Sequence, residues 1–194
     1  HKDFLGETGL SMGMFTMLTT DEGHEFGARL GEYVTEQAEW VLDQRSGYRK
    51  NKKNNPGRKK YQEKKRKWDA ELHTYINMEL NRLIQEEKPQ VIYLPRLPAT
   101  GKAGKVKKYN RSVSMWQRGY IRKRLALKCR EHSIALVEVM GKDISHECSR
   151  CGAAGKKDKG YFWCEKCGLH IPDKMNAARN AKKRGKEQAI QILP

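Results

Sequence analysis

Four cysteines carry the clearest chemistry in this chain. Cys148 and Cys151 form one Cys-x2-Cys pair, Cys164 and Cys167 a second, with twelve residues between the pairs. Thiolates at this spacing can meet at one tetrahedral point, the geometry zinc takes in structural sites. A glycine follows each pair, Gly152 and Gly168; it lets the backbone turn beneath a metal and aim its amides at the sulfurs. Four sulfurs close the coordination shell and leave no position for water or substrate, so the expected zinc is structural. Two disulfides are the other reading. They fit poorly with a Lys-rich chain in which no secretion signal is visible. Around the pairs, Arg150, Lys156, Lys157 and Lys159 are either nucleic-acid contacts or solvated charges. The fifth cysteine, Cys129, falls in a helical stretch and reads as a free buried thiol.

Charge is the second signal. The 194 residues hold 40 Lys and Arg against 23 Asp and Glu, a net charge of +17. Polyanion binding is the default expectation for such a balance. The basic residues concentrate in three places. Residues 45–67 carry Arg49, Lys52, Lys53, Arg58, Lys59, Lys60, Lys64 and Lys65, interrupted by Asn55-Pro56-Gly57. This stretch is either a solvated linker or an arm lying along a phosphate backbone, and its density of one sign favours the arm. Residues 95–111 form a Pro/Gly/Lys loop with Lys105, Lys107 and Lys108, and the following helix adds Arg118 and Arg122. No apolar run reaches the roughly 18 residues of a membrane span. Cysteines at zinc spacing suggest a reducing compartment, so a cytoplasmic location is expected.

The elements that position these residues alternate between two periods. Residues 4–18 read as strand, Gly-rich bend and strand. A turn centred on Gly23 and a third short strand near Phe26–Leu30 complete an antiparallel meander. From Glu32 to about Gln44, Tyr33, Val34, Gln37, Trp40 and Val41 recur at helical spacing. Trp68 to Glu87 is the best helix, with Leu72, Ile76, Leu80, Leu83 and Ile84 on one stripe. His73 beside that stripe reads as packing. Lys88-Pro89 ends the helix, and Val91–Leu94 is a continuous apolar run, as in a buried parallel strand. A helix spans Ser112 to Arg130, and a strand spans Ile134–Val139. After the cysteines, Pro172 opens a final helix to about Lys183. Helix followed by buried strand implies a crossover and an α/β architecture.

This order, with CSRCG, CEKCG and the run Asn176-Ala177-Ala178-Arg179-Asn180, resembles the C-terminal half of the TnpB family, RNA-guided nucleases related to the type V CRISPR effectors. The resemblance covers nearly the whole chain. It implies an RNase H-like, RuvC-like mixed sheet with flanking helices and a zinc ribbon inserted before the last helix. The implied boundaries are 1–143 for the RuvC-like domain with its basic insertion, 144–170 for the ribbon, and 171–194 for the closing helix and tail. The implied partners are guide RNA and target DNA, with a larger chain or an N-terminal region completing the effector.

That family cuts DNA with three carboxylates holding two metal ions. The first acid of its G-x-D-x-G pattern corresponds, on GETGLS, to Glu7. The acidic pair ending the strand after the long helix falls on Pro95-Arg96. The third acid, two residues before the Asn-Ala-Ala run, falls on Lys174, with Asp173 one place earlier. Neither proline nor lysine can ligate magnesium. The resemblance therefore implies a degenerate centre without catalytic Mg2+, in a protein that holds guide and target without cleavage and serves repression or recruitment, for example of a transposase. Two alternatives stay open. One is an active nuclease with displaced ligands, using Glu7, Asp173 and Glu138 or Asp143. The other is a stand-alone zinc-ribbon adaptor that binds nucleic acid without a guide.

Overall fold

The computed structural model describes residues 3–50, 57–97 and 116–192, with side chains left out at 45–50, 57–58 and 189–192. A five-stranded sheet forms its centre. The chain enters along β1 (Gly6–Met12), turns into β2 (Leu18–Thr20) and β3 (Glu25–Phe26), and continues into α1 (Leu30–Lys50). These three strands pair antiparallel, as expected of a meander. The third is shorter than expected. Gly27, at φ +72°, turns the chain out of the sheet just after Phe26, and Leu30 is already helical.

The long helix α2 (Gly57–Glu87) leads into β4 (Pro89–Arg96), which lies parallel to β1. Helix α3 (Arg118–Glu131) leads into β5 (Ala135–Met140), parallel to β4. The strand order β3-β2-β1-β4-β5 is the mixed sheet of an RNase H-like, RuvC-like fold. Beyond it a second sheet, β6 (Lys156–Asp158), β7 (Tyr161–Trp163) and β8 (His170–Pro172), forms the cysteine ribbon. Helix α4 (Asp173–Ile192) closes the fold.

Alternation along the strands divides the core between two faces. Leu10, Ile92 and Leu94 pack with Leu72, Ile76, Leu80, Leu83 and Ile84 of α2 and with Ile121 and Leu125 of α3. Cys129 is buried there too, and burial pushes its thiol up to about 11. His73 stacks on Tyr120 with 3.6 Å between ring centroids, a packing role. The opposite face receives α4. Its Ala177, Ala178 and Ala181 are small enough for the helix to lie directly on the sheet. A Cβ on Gly9 would come 2.2 Å from the Ala178 carbonyl oxygen, and one on Gly185 would come 1.9 Å from the Tyr93 ring.

Two helices differ from expectation. Residues 57–67 are the first turns of a 31-residue helix, not a linker. Lys, Arg, Glu and Gln are good helix formers, and aromatic packing fastens this end to α1. Trp40 stacks on Tyr61 at 4.9 Å and meets Trp68 edge-on at 5.1 Å, while Lys64 Nζ lies 5.0 and 5.1 Å from the Trp40 and Trp68 rings. Helix α4 begins one residue later than expected, because Pro172 is the last residue of β8, and it runs on past Lys183 to Ile192. Gly185 does not stop it, since the Tyr93 contact requires a residue without a side chain there.

Candidate functional site

The two cysteine pairs close on each other. All four Sγ atoms lie within 4.8 Å of one another, with Cys148–Cys167 and Cys151–Cys164 at 3.5 Å. A tetrahedron with Zn–S bonds of about 2.3 Å has sulfurs about 3.8 Å apart, so the residues fit a structural zinc. The two knuckles repeat one backbone pattern. The Cys148 N–H donates to the Ala153 carbonyl and the Gly152 N–H to the Cys148 carbonyl; Cys164, Leu169 and Gly168 repeat this at equivalent positions. Gly152 and Gly168 take φ of +74° and +69°, which glycine adopts without steric cost. Desolvation opposes ionisation of Cys164. Hydrogen bonds from the Cys167 backbone and from the other three thiols outweigh it and bring Cys164 down to about 7. Phe162 and Leu169 pack beneath the sulfurs as the ribbon's small core.

The Asn-Ala-Ala-Arg-Asn run joins this ribbon to the sheet. Asn176 accepts from the Ser149 N–H at 3.0 Å and donates to the Glu147 carbonyl at 2.8 Å. Asn180 donates to the carbonyls of Ile144 (2.9 Å) and Glu147 (2.7 Å). Arg184 extends the clamp to the Met140 and Lys142 carbonyls and the Glu147 carboxylate. The backbone between β5 and the ribbon thus finds its partners on α4. Asn180 is 2% exposed, so Asn180→Ala strips buried carbonyls of a donor and is expected to cost about 2 kcal/mol. Urea unfolding checks this; an unchanged midpoint would show the loop is held by other contacts.

A cavity of about 940 Å³ opens where β1, β4 and β5 end and α4 begins, the position at which open α/β sheets place ligand sites. Pro95 and Lys174 both line it. Glu7 does not. It sits near the opposite end of β1, paired with Lys186, and lines a separate depression with His24 and Glu87. The residue of β1 that reaches the cavity is Ser11. Glu7, Gly9 and Ser11 share one face by strand alternation, but four residues of strand move a side chain about 13 Å. The signal for Ser11 was present in the sequence: Gly9-Leu10-Ser11-Met12-Gly13 has the G-x-D-x-G spacing, with serine at the acid position.

Charged side chains of both signs also line the cavity. Arg96, Lys142, Lys157 and Lys174 face Glu138, Asp143 and Asp173. Glu138 is held by Arg122 of α3 and lies 3.6 Å from Arg96. Lys157 donates to the Ser145 hydroxyl at 3.1 Å. Among the described residues, the four cysteines are the only His, Cys, Asp or Glu side chains grouped closely enough to hold a metal ion.

The basic residues expected to contact nucleic acid divide. Lys59 and Lys60 are exposed on α2. Lys65 pairs with Asp69 at 3.0 Å, Arg122 is committed to Glu138, and Arg118 lies 5.7 Å from the Trp116 ring. Arg150 is exposed and points a donor at the Cys167 carbonyl, 3.4 Å away. The side chains of Arg49 and Arg58, and all of Lys52, Lys53, Lys105, Lys107 and Lys108, lie outside the described residues. No described helix is long and apolar enough to cross a membrane.

Comparison with known proteins agrees with this architecture. A family model described as Cas12f1-like, TNB domain matches residues 119–181, from α3 through the ribbon into α4. A cryo-EM structure of a Cas12f1–sgRNA–target DNA complex is similar with a TM-score of 0.66 and 18% identity, covering 90% of this chain and 49% of that one. A cryo-EM structure of a CRISPR-Cas12f ternary complex has a TM-score of 0.67 and 16% identity, covering 94% of this chain and 40% of that one. At these identities the likeness is one of fold, and this chain spans half or less of those proteins' length. No curated protein matches the sequence significantly. Residues 119–181 thus resemble the Cas12f1-like TNB domain, and the sheet that carries them has the fold of those Cas12f structures.

Proposed function

We propose that this chain is the RuvC-like and zinc-ribbon portion of an RNA-guided protein that holds guide RNA and target DNA without cutting them. The observation that carries this is the meeting of Ser11, Pro95 and Lys174 at one cavity. A two-metal centre needs several carboxylate oxygens aimed at one point. Serine, proline and lysine supply none, and a lysine opposes each unit of cation charge by about 1–4 kcal/mol at roughly 4 Å. The neighbouring acids do not compensate, because Glu138 is occupied by arginines and no three described carboxylates converge. This counts against a nuclease with displaced ligands. On this reading residues 1–143 form the RuvC-like unit, 144–170 the ribbon and 171–194 the closing helix and tail. A larger chain or an N-terminal region completes the effector, which works in the cytoplasm by occupying its target or by recruiting a second machine such as a transposase.

Purification from the native host, sequencing of any bound RNA, and incubation with guide-matched DNA and Mg2+ or Mn2+ test the proposal. The expected result is a co-purified structured RNA, intact DNA, and binding that falls steeply with salt. Magnesium-dependent cutting of matched DNA would overturn it. Binding without any RNA would favour the stand-alone adaptor instead.

A further inference from the structure

We infer that the outer face of the cysteine ribbon docks a proline-containing segment of a partner protein, held extended across Tyr161 and Trp163. Neither residue lines the cavity of Ser11, Pro95 and Lys174, so the docking face stands apart from the non-cutting centre.

The β6–β7 hairpin sets this face. Lys159 and Gly160 take φ of +46° and +85°, the two-residue turn that matches the twist of paired strands. It fixes a register in which Trp163 lies between Lys156 and His170, and Tyr161 between Asp158 and Pro172. Alternation then sends Phe162 inward, fully buried beside the cysteines, and leaves Tyr161 and Trp163 outward at 50% and 54% exposure. The ribbon has little core of its own, yet these two large rings are displayed instead of packed. Tyr and Trp grouped on one exposed face are characteristic of interfaces. The face is also held in shape. The Asp173 N–H donates to the Gly160 carbonyl at 2.9 Å, tying the hairpin to the start of α4, and Tyr161 stacks on His170 with 5.1 Å between ring centroids.

Charge selects the occupant. The chain carries a net charge of +17, but the lysine on this face, Lys156, is paired with Glu165 at 2.6 Å, and Asp158 adds a negative charge beside Tyr161. Lys157 points to the other face, where it donates to the Ser145 hydroxyl. A phosphate backbone would meet two carboxylates here, whereas a neutral peptide meets flat apolar rings. Side chains two apart on a strand stand about 7 Å from each other, which admits one pyrrolidine ring at about 3.5–4.0 Å from each. A polyproline segment carries carbonyls without internal partners, and the Trp163 indole N–H and the Tyr161 hydroxyl are donors for them. Its preformed conformation keeps the ordering cost of docking low.

Fluorescence anisotropy of the full chain tests this with labelled probes: a twelve-residue oligoproline, an Ala-Ser peptide of the same length, and single strands of DNA and RNA. The oligoproline is expected to bind roughly tenfold tighter than the Ala-Ser peptide, with an affinity flat across a salt series because no phosphate is contacted. Trp163→Ala and Tyr161→Ala are each expected to weaken it roughly tenfold with zinc content unchanged, since both rings lie outside the ribbon core. Trp163→Leu keeps apolar area without the flat ring or the indole N–H, and is expected to lose as much. Met78→Ala, exposed on α2, is expected to change nothing. Equal binding of the two peptides, or full affinity in both Trp163 variants, would overturn the inference. So would a Trp163→Ala loss confined to the DNA or RNA strand, which would assign the face to nucleic acid. None of these results touches the non-cutting function, which is read from cleavage of matched DNA.

Discussion

The triple substitution Ser11→Asp, Pro95→Glu and Lys174→Asp is expected to give the cavity an affinity for Mg2+ or Mn2+ that, on the proposed reading, the wild type lacks. The three positions line one cavity, so three carboxylates placed there face one volume. Lys174→Asp changes the local charge by two units, and Pro95→Glu restores a backbone N–H at the end of β4, beside Val139 of β5. Without metal the triple variant should be less stable than the wild type, since the position of Ser11 is 5% exposed and an unpaired carboxylate there is costly. Metal at 100 times its dissociation constant should then return about 2.7 kcal/mol. Isothermal titration calorimetry reads the uptake, and thermal unfolding with and without metal reads the linkage. A folded triple variant that binds no metal would show that the backbone, and not only the side chains, has left the catalytic arrangement. Uptake by the wild type would contradict the dismantled centre directly.

Removing zinc is the second large effect. Apparent binding free energies of structural zinc sites are about 10–16 kcal/mol, and that energy is folding energy for a module with little core of its own. The ribbon's buried apolar side chains beside its cysteines are Phe162 and Leu169, with three-residue strands around them. Cys148→Ser and Cys164→Ser are each expected to lose zinc and unfold residues 144–172. The five-stranded sheet should persist, because its core of Leu10, Ile92 and the α2 stripe does not include the ribbon. Zinc by inductively coupled plasma analysis and amide hydrogen exchange along the chain read both halves of the prediction. Full zinc stoichiometry in both variants would refute it. Loss of protection in β1 and β4 as well would mean that Asn176 and Asn180 couple ribbon and sheet into one cooperative unit.

Much of this protein is determined by sequence periodicity and spacing. The cysteine pairs, their glycines, the stripe from Leu72 to Ile84 and the apolar run at Val91–Leu94 are local patterns, and each has essentially one structural solution. Proline and lysine at positions 95 and 174 are legible in the same way, because they stand beside recognisable neighbours. Tertiary structure decided the rest. Glu7 and Ser11 lie on the same face of β1 and near similar glycines, so side-chain alternation cannot separate them; only the placement of α4 across the strand shows which one meets Lys174. Residues 57–67 read by charge as a solvated linker or a basic arm, and become helix because Trp40, Tyr61 and Trp68 meet across two elements. Asn176 and Asn180 carry no local sign of their task, since the carbonyls they satisfy belong to residues about thirty positions away. Contacts between distant segments are set by the packing of whole elements, and no spacing within a single segment encodes them.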